Sequence, residues 1–292
     1  MSDNVALTGS RTGTSLENRY AKLRSLINGY GSLIVAYSGG VDSTFLGAVA
    51  HEVLGPMSLM VTSRSPSVAP EELEAATELA AAREWRHLVV DTDEINDPRY
   101  LANDGRRCFF CKTELYTHLD KVAADAGITK VANGANVDDL GDYRPGMEAA
   151  TNFEVVSPLV EAEMTKQDIR DLSRNMGLPT WDKPAQPCLS SRIPYGTTVS
   201  IEALTKIGRS EKGLRELGFP VVRVRHYGTI ARIEIPLDDF ARFEHVKAAA
   251  EKIVLDAGYE AMELEPNGFR SGGLNSSLVN LKPGSGIVSS SK

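Results

Sequence analysis

The sequence predicts an α/β protein: a doubly wound parallel sheet followed by a smaller C-terminal α+β domain. Three observations carry this. A short continuous apolar run at 33–37, of the kind a buried parallel strand uses, and further strands read at 57–62, 87–90 and 129–132 alternate with helical patterns. The first run ends in the turn Ser38-Gly39-Gly40-Val41-Asp42-Ser43, which opens a helix at once. Beyond residue 200 the order changes to a helix, two strand-like runs joined by Gly228-Thr229, a second helix and a last strand.

Residues 1–15, rich in Ser, Thr and Gly, read as a disordered leader. A helical pattern over 16–26 (Leu16, Tyr20, Leu23, Leu26) stops at Asn28-Gly29-Tyr30-Gly31. The first strand, the glycine turn and a helix to about residue 53 follow. Pro70, Glu71 and Glu72 start the next helix, with proline and acids where a first turn favours them. A helix is expected over 110–126 and another from Thr165. The loops after Tyr37, Thr62 and Ala132 all fall at the strands' carboxyl edge, where such sheets bind ligands. The first domain is placed at 16–185. The stretch LPTWDKPAQPCLSSRIPYG, with Pro179, Pro184, Pro187 and Pro194, reads as an ordered loop crossing between domains. The second domain is placed at 186–265, with helices over 200–217 and 238–257 and strands near 221–227, 231–235 and 261–264. Residues 266–292 read as a flexible tail.

A 42% hydrophobic and 24% charged composition over 292 residues is that of an ordinary globular chain, and no apolar run is long enough to span a bilayer. The polar N-terminus lacks the apolar core of a signal peptide, so a cytoplasmic location is expected. A net charge of −7 argues against a large nucleic-acid footprint while allowing a local basic pocket. With three cysteines, a disulfide framework is not expected.

The glycine turn has the chemistry of an anion cradle. Gly39 and Gly40 let backbone approach a ligand, the new helix points its free N–H groups there, and Ser38 and Ser43 add hydroxyls. Asp42 can hold a metal that neutralises phosphate charge. No lysine stands in the loop, so it is not a Walker A motif. The bland alternative is a tight turn with no ligand. Asn136, Asp138, Asp139 and Asp142 cluster after the fourth strand, either as metal ligands or as loop caps. Cys108 and Cys111 form a CxxC at a helix start, with Cys188 far along the chain. Three thiolates could hold three corners of a [4Fe–4S] cluster and leave one iron open; packed helix cysteines are the alternative. Arg192, Arg223 and Arg225 are candidates for holding an anionic substrate, the last two sharing one strand face, with a solvated edge strand as the alternative. His226 reads as structural.

SGGVDS resembles the signature of the PP-loop ATP pyrophosphatases, which bind ATP at this turn, transfer AMP and release pyrophosphate. With VTSRSPSVAPEE, RRCFFCKTELY, ANVDDLGDYRPGMEAA and PCLSSRIPYG in this order, the chain resembles the LarE family of sulfur transferases over about residues 16–265. That resemblance implies Mg-ATP-dependent adenylation of a carboxylate of pyridinium-3,5-biscarboxylic acid mononucleotide. A sulfur nucleophile then displaces AMP, giving a thiocarboxylate during nickel-pincer nucleotide cofactor synthesis. It implies ATP phosphates at Ser38, Gly39, Gly40, Asp42 (with Mg2+) and Ser43, and Ser63, Arg64 and Gly134 near the nucleotide. Arg223 and Arg225 would hold substrate, with Glu211 assisting. One branch of the family consumes the sulfur of a single cysteine matching Cys188. The other holds a [4Fe–4S] cluster on three cysteines, and Cys108, Cys111 and Cys188 match that branch. The resemblance also implies a homo-oligomer built on trimers. The rival readings are a tRNA thiolase, an amide-forming synthetase and a nucleotide-binding sensor.

Overall fold

The computed structural model describes residues 15–140 and 145–270; the expected leader and tail, and Asp142, lie largely or wholly outside them. Helix α1 (Leu16–Tyr30), capped by the Ser15 side chain, leads to β1 (Leu33–Ala36) and then α2 (Val41–Leu54). Strand β2 (Ser58–Arg64), α3 (Pro70–Ala82) and β3 (His87–Asp91) follow. Next come a single turn α4 (Pro98–Leu101), the long α5 (Arg107–Ala126) and β4 (Val131–Ala132). Helices α6 (Pro145–Asn152), α7 (Pro158–Glu161) and α8 (Lys166–Asn175) complete the first unit.

The four strands are parallel, in the order β3-β2-β1-β4. The chain winds outward from β1 through β2 to β3, then returns to place β4 on the other side of β1. That reversal creates a switch point between the carboxyl ends of β1 and β4, the crevice where doubly wound sheets bind ligands. Alternation along β1 sends Leu33 and Val35 into one core layer with Phe45, Val49 and Met60, and Ile34 into the opposite layer with Leu115, Leu119 and Ala149. Helix α2 is buried at nearly every position from Val41 to Ala50, which fixes the turn that precedes it.

The second unit is a three-stranded sheet, β5 (Arg223–Tyr227), β6 (Ile230–Glu234) and β7 (Ala261–Leu264), covered by α9 (Ile201–Glu216) and α10 (Phe240–Asp256). The Gly228-Thr229 connection gives an antiparallel hairpin, while β7 joins β6 in parallel. Its core is Leu214, Phe219, Val224, Ile233, Phe243 and Val254. A separate apolar cluster ties the two units together, with Ala69 and Tyr100 from the first meeting Leu189, Ile193, Leu204 and Ile207.

Helix α5 begins at Arg107, three residues before the sequence pattern places it, so both cysteines of the CxxC lie in its first turns. The four-residue helices at Pro98 and Pro158 and the eight-residue α6 fall in stretches where the sequence pattern marks no helix. Each starts on a proline, which suits a first helical position.

Gly39 has φ +69°, and a Cβ there would come 2.8 Å from the Ala76 Cβ. Gly39→Ala therefore combines a left-handed backbone with a clash against α3, and should destabilise the protein by about 1–3 kcal/mol. A thermal melt of the variant checks this: an unchanged midpoint would show that the turn relaxes freely.

Candidate functional site

Tyr37 follows β1 with both backbone groups engaged: its N–H donates to Val61 O at 2.8 Å, and its carbonyl accepts from the Thr62 hydroxyl at 2.8 Å. The next residues turn away from the sheet. Two serines staple the turn to the helix: the Ser38 N–H donates to Ser43 Oγ at 3.1 Å, and the two hydroxyls lie 3.1 Å apart. From the far side of the switch point, Gly134 packs on the first turn of α2, where a Cβ would come 3.0 Å from the Ser43 nitrogen. Gly134 therefore serves close approach of two backbones at the mouth of the site. Ser63 and Arg64 end β2 at the same sheet edge, but Arg64 is turned to β3, forking onto Asp91 at 2.5 and 2.8 Å.

Asp42 faces inward from the first turn of α2. Its Oδ1 accepts from Asn136 Nδ2 at 3.2 Å and its Oδ2 from Lys166 Nζ at 2.6 Å. A second ammonium, Lys183 Nζ, donates to the Gly39 carbonyl at 3.2 Å and to Glu72 Oε2 at 2.7 Å. Asn136 and Asp139 form a capping box around the turn at Val137–Asp139, and Asp138 accepts from the Lys166 N–H at 2.7 Å. Of the acidic cluster, Asp138 and Asp139 therefore act as caps.

The three thiols lie near one another where the units join, close enough for each to feel the others' charge. Cys111 packs against the apolar cluster that contains Leu189, the neighbour of Cys188. All three cysteines are free, Cys108 exposed and the other two half-buried. They sense one another electrostatically. Burial pushes the Cys111 thiol up and Glu94 adds to this; the surrounding protein desolvates the Cys108 sulfur and pushes it up too, although that residue as a whole is exposed; negative charge on Cys188 raises both further. Burial would raise Cys188 as well, but the Arg107 guanidinium, the Ser190 hydroxyl, Arg192 and the Ser191 N–H outweigh it and hold this thiol below its ordinary value. Among the described residues, no group of three or more His, Cys, Asp or Glu side chains is spaced to hold a single metal ion.

Four arginines grip the backbone around Cys188. Arg223 donates to Ala185 O, Arg192 to Pro187 O and (3.0 Å) Cys188 O, Arg107 to Ser190 O (2.7 Å), and Arg225 to Ser191 O (2.9 Å). Arg192 and Glu211 each keep about 1% exposure and fork onto each other at 2.8 and 2.9 Å. Glu211 also accepts the Val224 N–H at 3.0 Å. Arg225 forks onto Glu234, both contacts at 2.8 Å. Burial and the neighbouring Arg192 charge push Arg223 down to about 10. The strand face carrying Arg223 and Arg225 is thus buried under the crossing segment, which corrects the solvated-edge alternative. Glu211, expected to assist the substrate arginines, is a buried counter-ion to Arg192. Arg107, Lys166 and Lys183 carry no mark that sequence reasoning picks out as functional. A buried arginine directly before a CxxC is a weak signal, and nothing local distinguishes either lysine.

A doubly wound sheet with SGGVDS at its switch point defines a PP-loop ATP-utilising enzyme. No protein-family model matches the chain. It is 34% identical over 266 residues to the pyridinium-3,5-bisthiocarboxylic acid mononucleotide synthase of Lactiplantibacillus plantarum, covering 91% of this chain and 96% of that protein. An uncharacterized protein of Synechocystis sp. is 43% identical over 266 residues, 90% of this chain and 99% of its own. More distantly, a tRNA-specific 2-thiouridylase of Leptospira interrogans is 26% identical over 52% of this chain and 51% of its own. The chain belongs to the LarE family of ATP-dependent sulfurtransferases, the family of the Lactiplantibacillus synthase.

This geometry has two measurable consequences. In metal-free, reduced protein at neutral pH, iodoacetamide should alkylate Cys188 well before Cys111, because only the thiolate reacts and Cys188 alone is held low. Peptide mass spectrometry over a time course reads this, and equal rates would refute it. Glu211→Ala leaves Arg192 a buried, unpaired cation and should cost about 3–5 kcal/mol in denaturant unfolding. In the native protein the Arg192 charge and hydrogen bonds outweigh the effect of burial and hold Glu211 below its ordinary 4.5. Its contribution is complete above that value and is lost as pH falls through the lower folded-state value.

Proposed function

We propose that the protein adenylates a carboxylate of pyridinium-3,5-biscarboxylic acid mononucleotide with Mg-ATP and replaces the activated oxygen with sulfur, in nickel-pincer nucleotide cofactor synthesis. The observation that carries this reading is the nearness of three free thiols to an arginine-gripped segment in a chain that also bears the PP-loop turn. The synthase activity of the Lactiplantibacillus relative, at 34% identity over nearly its whole length, supports the substrate.

A carboxylate oxygen attacks the α-phosphorus, the bond to the β-phosphate breaks, and pyrophosphate leaves. The α2 N-terminus and the Ser38 and Ser43 hydroxyls would hold phosphate oxygens there. Asp42 would take the magnesium ion, for which its carboxylate has the right chemistry, once Lys166 exchanges it for phosphate. A sulfur nucleophile then adds to the acyl carbon and AMP departs. Arg192, Arg223 and Arg225 position Cys188 and hold positive charge beside the incoming anion.

The thiol set also fits an iron–sulfur group. A cubane distributes its thiolates over different irons, so its ligands need not crowd as those of one ion do. Arg107 and the Lys112 ammonium, whose charge lowers both Cys108 and Cys111, suit an anionic cluster. When held by Cys108, Cys111 and Cys188, a [4Fe–4S] cluster would offer a sulfide at its open iron. A second reading is favoured by the difference among the thiols, since Cys188 alone is held low. In it the Cys188 sulfur attacks the acyl carbon to give a thioester. Loss of the Cα proton and cleavage of the Cβ–S bond then leave thiocarboxylate and dehydroalanine.

A small-molecule nucleotide substrate, a cytoplasmic setting and a trimer-based homo-oligomer complete the proposal; no helix among the described residues is long and apolar enough to cross a membrane. Anaerobic reconstitution with iron and sulfide should load about four irons per chain and support repeated turnover. No iron uptake, together with the loss of one sulfur's mass from Cys188 after a single turnover, would establish the sacrificial route instead.

A further inference from the structure

The PP-loop turn brings no cation of its own, yet an ATP triphosphate carries more negative charge than one magnesium ion neutralises. Two ammonium groups reach the turn from distant parts of the chain. Lys166, the first residue of α8, lies on Asp42, and Lys183 lies on the Gly39 carbonyl and Glu72. The Lys183–Glu72 pair keeps 21% and 24% side-chain exposure, so it is open enough for the ammonium to change partners.

Lys183 also occupies a particular place in the chain. Its carbonyl accepts from Arg170 Nη2 at 3.1 Å, and the Trp181 carbonyl from Arg170 Nη1 at 2.8 Å, so the backbone up to this residue is fixed to α8. Two residues later the Ala185 carbonyl is held by Arg223 of the second unit, and the Pro187 and Cys188 carbonyls by Arg192. Lys183 thus stands at the near end of the crossing segment, where Arg170 fixes the backbone to the nucleotide unit. The thiol-bearing end, only a few residues on, is held between both units, by the Leu189 N–H on Ser67 O at 2.8 Å and Arg107 on Ser190 O from the first and by Arg223 and Arg225 from the second.

We propose that the Lys183 ammonium binds the triphosphate of ATP, exchanging Glu72 and the Gly39 carbonyl for phosphate oxygens, and that this exchange shifts the segment carrying Cys188. Lys166 acts as the second phosphate cation, leaving Asp42 to magnesium. The inference rests on the ATP reading above and names the groups that complete that site. It gives the chain a means for nucleotide occupancy to reach the sulfur end through one short stretch of backbone.

The test uses full-length, metal-free protein in two measurements. Isothermal titration calorimetry with magnesium and either ATP or inorganic pyrophosphate should show binding by the unaltered protein, weakened tenfold or more by Lys183→Met and by Lys166→Met. Lys183→Arg should retain most of the affinity. Glu72→Gln releases Lys183 from its carboxylate and should tighten pyrophosphate binding severalfold. In the second measurement, ATP should change the rate at which iodoacetamide modifies Cys188 in the unaltered protein, read by peptide mass spectrometry. It should leave that rate unchanged in Lys183→Met at saturating ATP. Ligand-free melts of each variant identify any that fails to fold, and Glu72→Gln then decides by the sign of its effect. Lys183→Met binding as tightly as the unaltered protein, or Glu72→Gln weakening binding as the lysine variants do, overturns the inference and leaves the ATP reading standing. An unaltered protein that binds neither ATP nor pyrophosphate overturns both.

Discussion

The structure depends on guanidinium groups holding the carbonyls of the segment that bears Cys188. A stretch rich in proline cannot join a sheet or helix along its length, so its carbonyls need other partners when they are covered. Arg107, Arg192, Arg223 and Arg225 supply them, one from the first unit, one from the segment itself and two from β5. Arginine suits this task because its planar fork serves a carbonyl on one side and a carboxylate on the other, and it keeps its charge when buried. Even Arg223, pushed down to about 10, stays protonated at neutral pH.

So many buried cations need compensation, and Glu211 and Glu234 provide it. Glu211 takes the Arg192 fork and also the Val224 N–H, so α9, the crossing segment and β5 share one carboxylate. Removing either partner of such a pair is far more costly than the pair is stabilising, because the remaining charge is left uncompensated. The arrangement therefore specifies one position for the segment. Its electrostatic consequence falls on the sulfur: the charges that hold the backbone also hold Cys188 below its ordinary value, while Cys108 and Cys111, less well served, are pushed up.

The parallel sheet was legible because β1 is a continuous apolar run and the strands alternate with helical patterns, and the glycine turn because its spacing admits few other geometries. The hairpin of the second unit was legible from Gly228-Thr229 between two alternating runs. The start of α5 was not, because Arg106 at its cap makes no side-chain hydrogen bond to the first turn, so nothing in the sequence marks it. Arg223 and Arg225 were correctly placed on one face. However, alternation alone does not distinguish a face open to substrate from one closed over a crossing loop, and here the loop's carbonyls occupy both. The pairing of Lys166 with Asp42 spans 124 positions, and that of Lys183 with Glu72 spans 111; such contacts come from topology and have no local pattern.

Those long-range contacts also bear on why the turn can lack a lysine. A Walker lysine is fixed to its own loop and serves phosphate alone. Here the cations come from α8 and from the crossing segment, elements that the reversal of strand order brings over the carboxyl ends of β1 and β4. A charge delivered from outside the loop belongs to a structure that has other obligations. Lys166 begins a helix whose Arg170 holds the carbonyls of Trp181 and Lys183, and Lys183 stands just ahead of the stretch that the arginines clamp. In the reaction proposed above, activation of the carboxylate and delivery of sulfur fall on the same acyl group in sequence. A fold that draws its phosphate cations from the support of its thiol segment ties the geometry of the second step to the occupancy of the first.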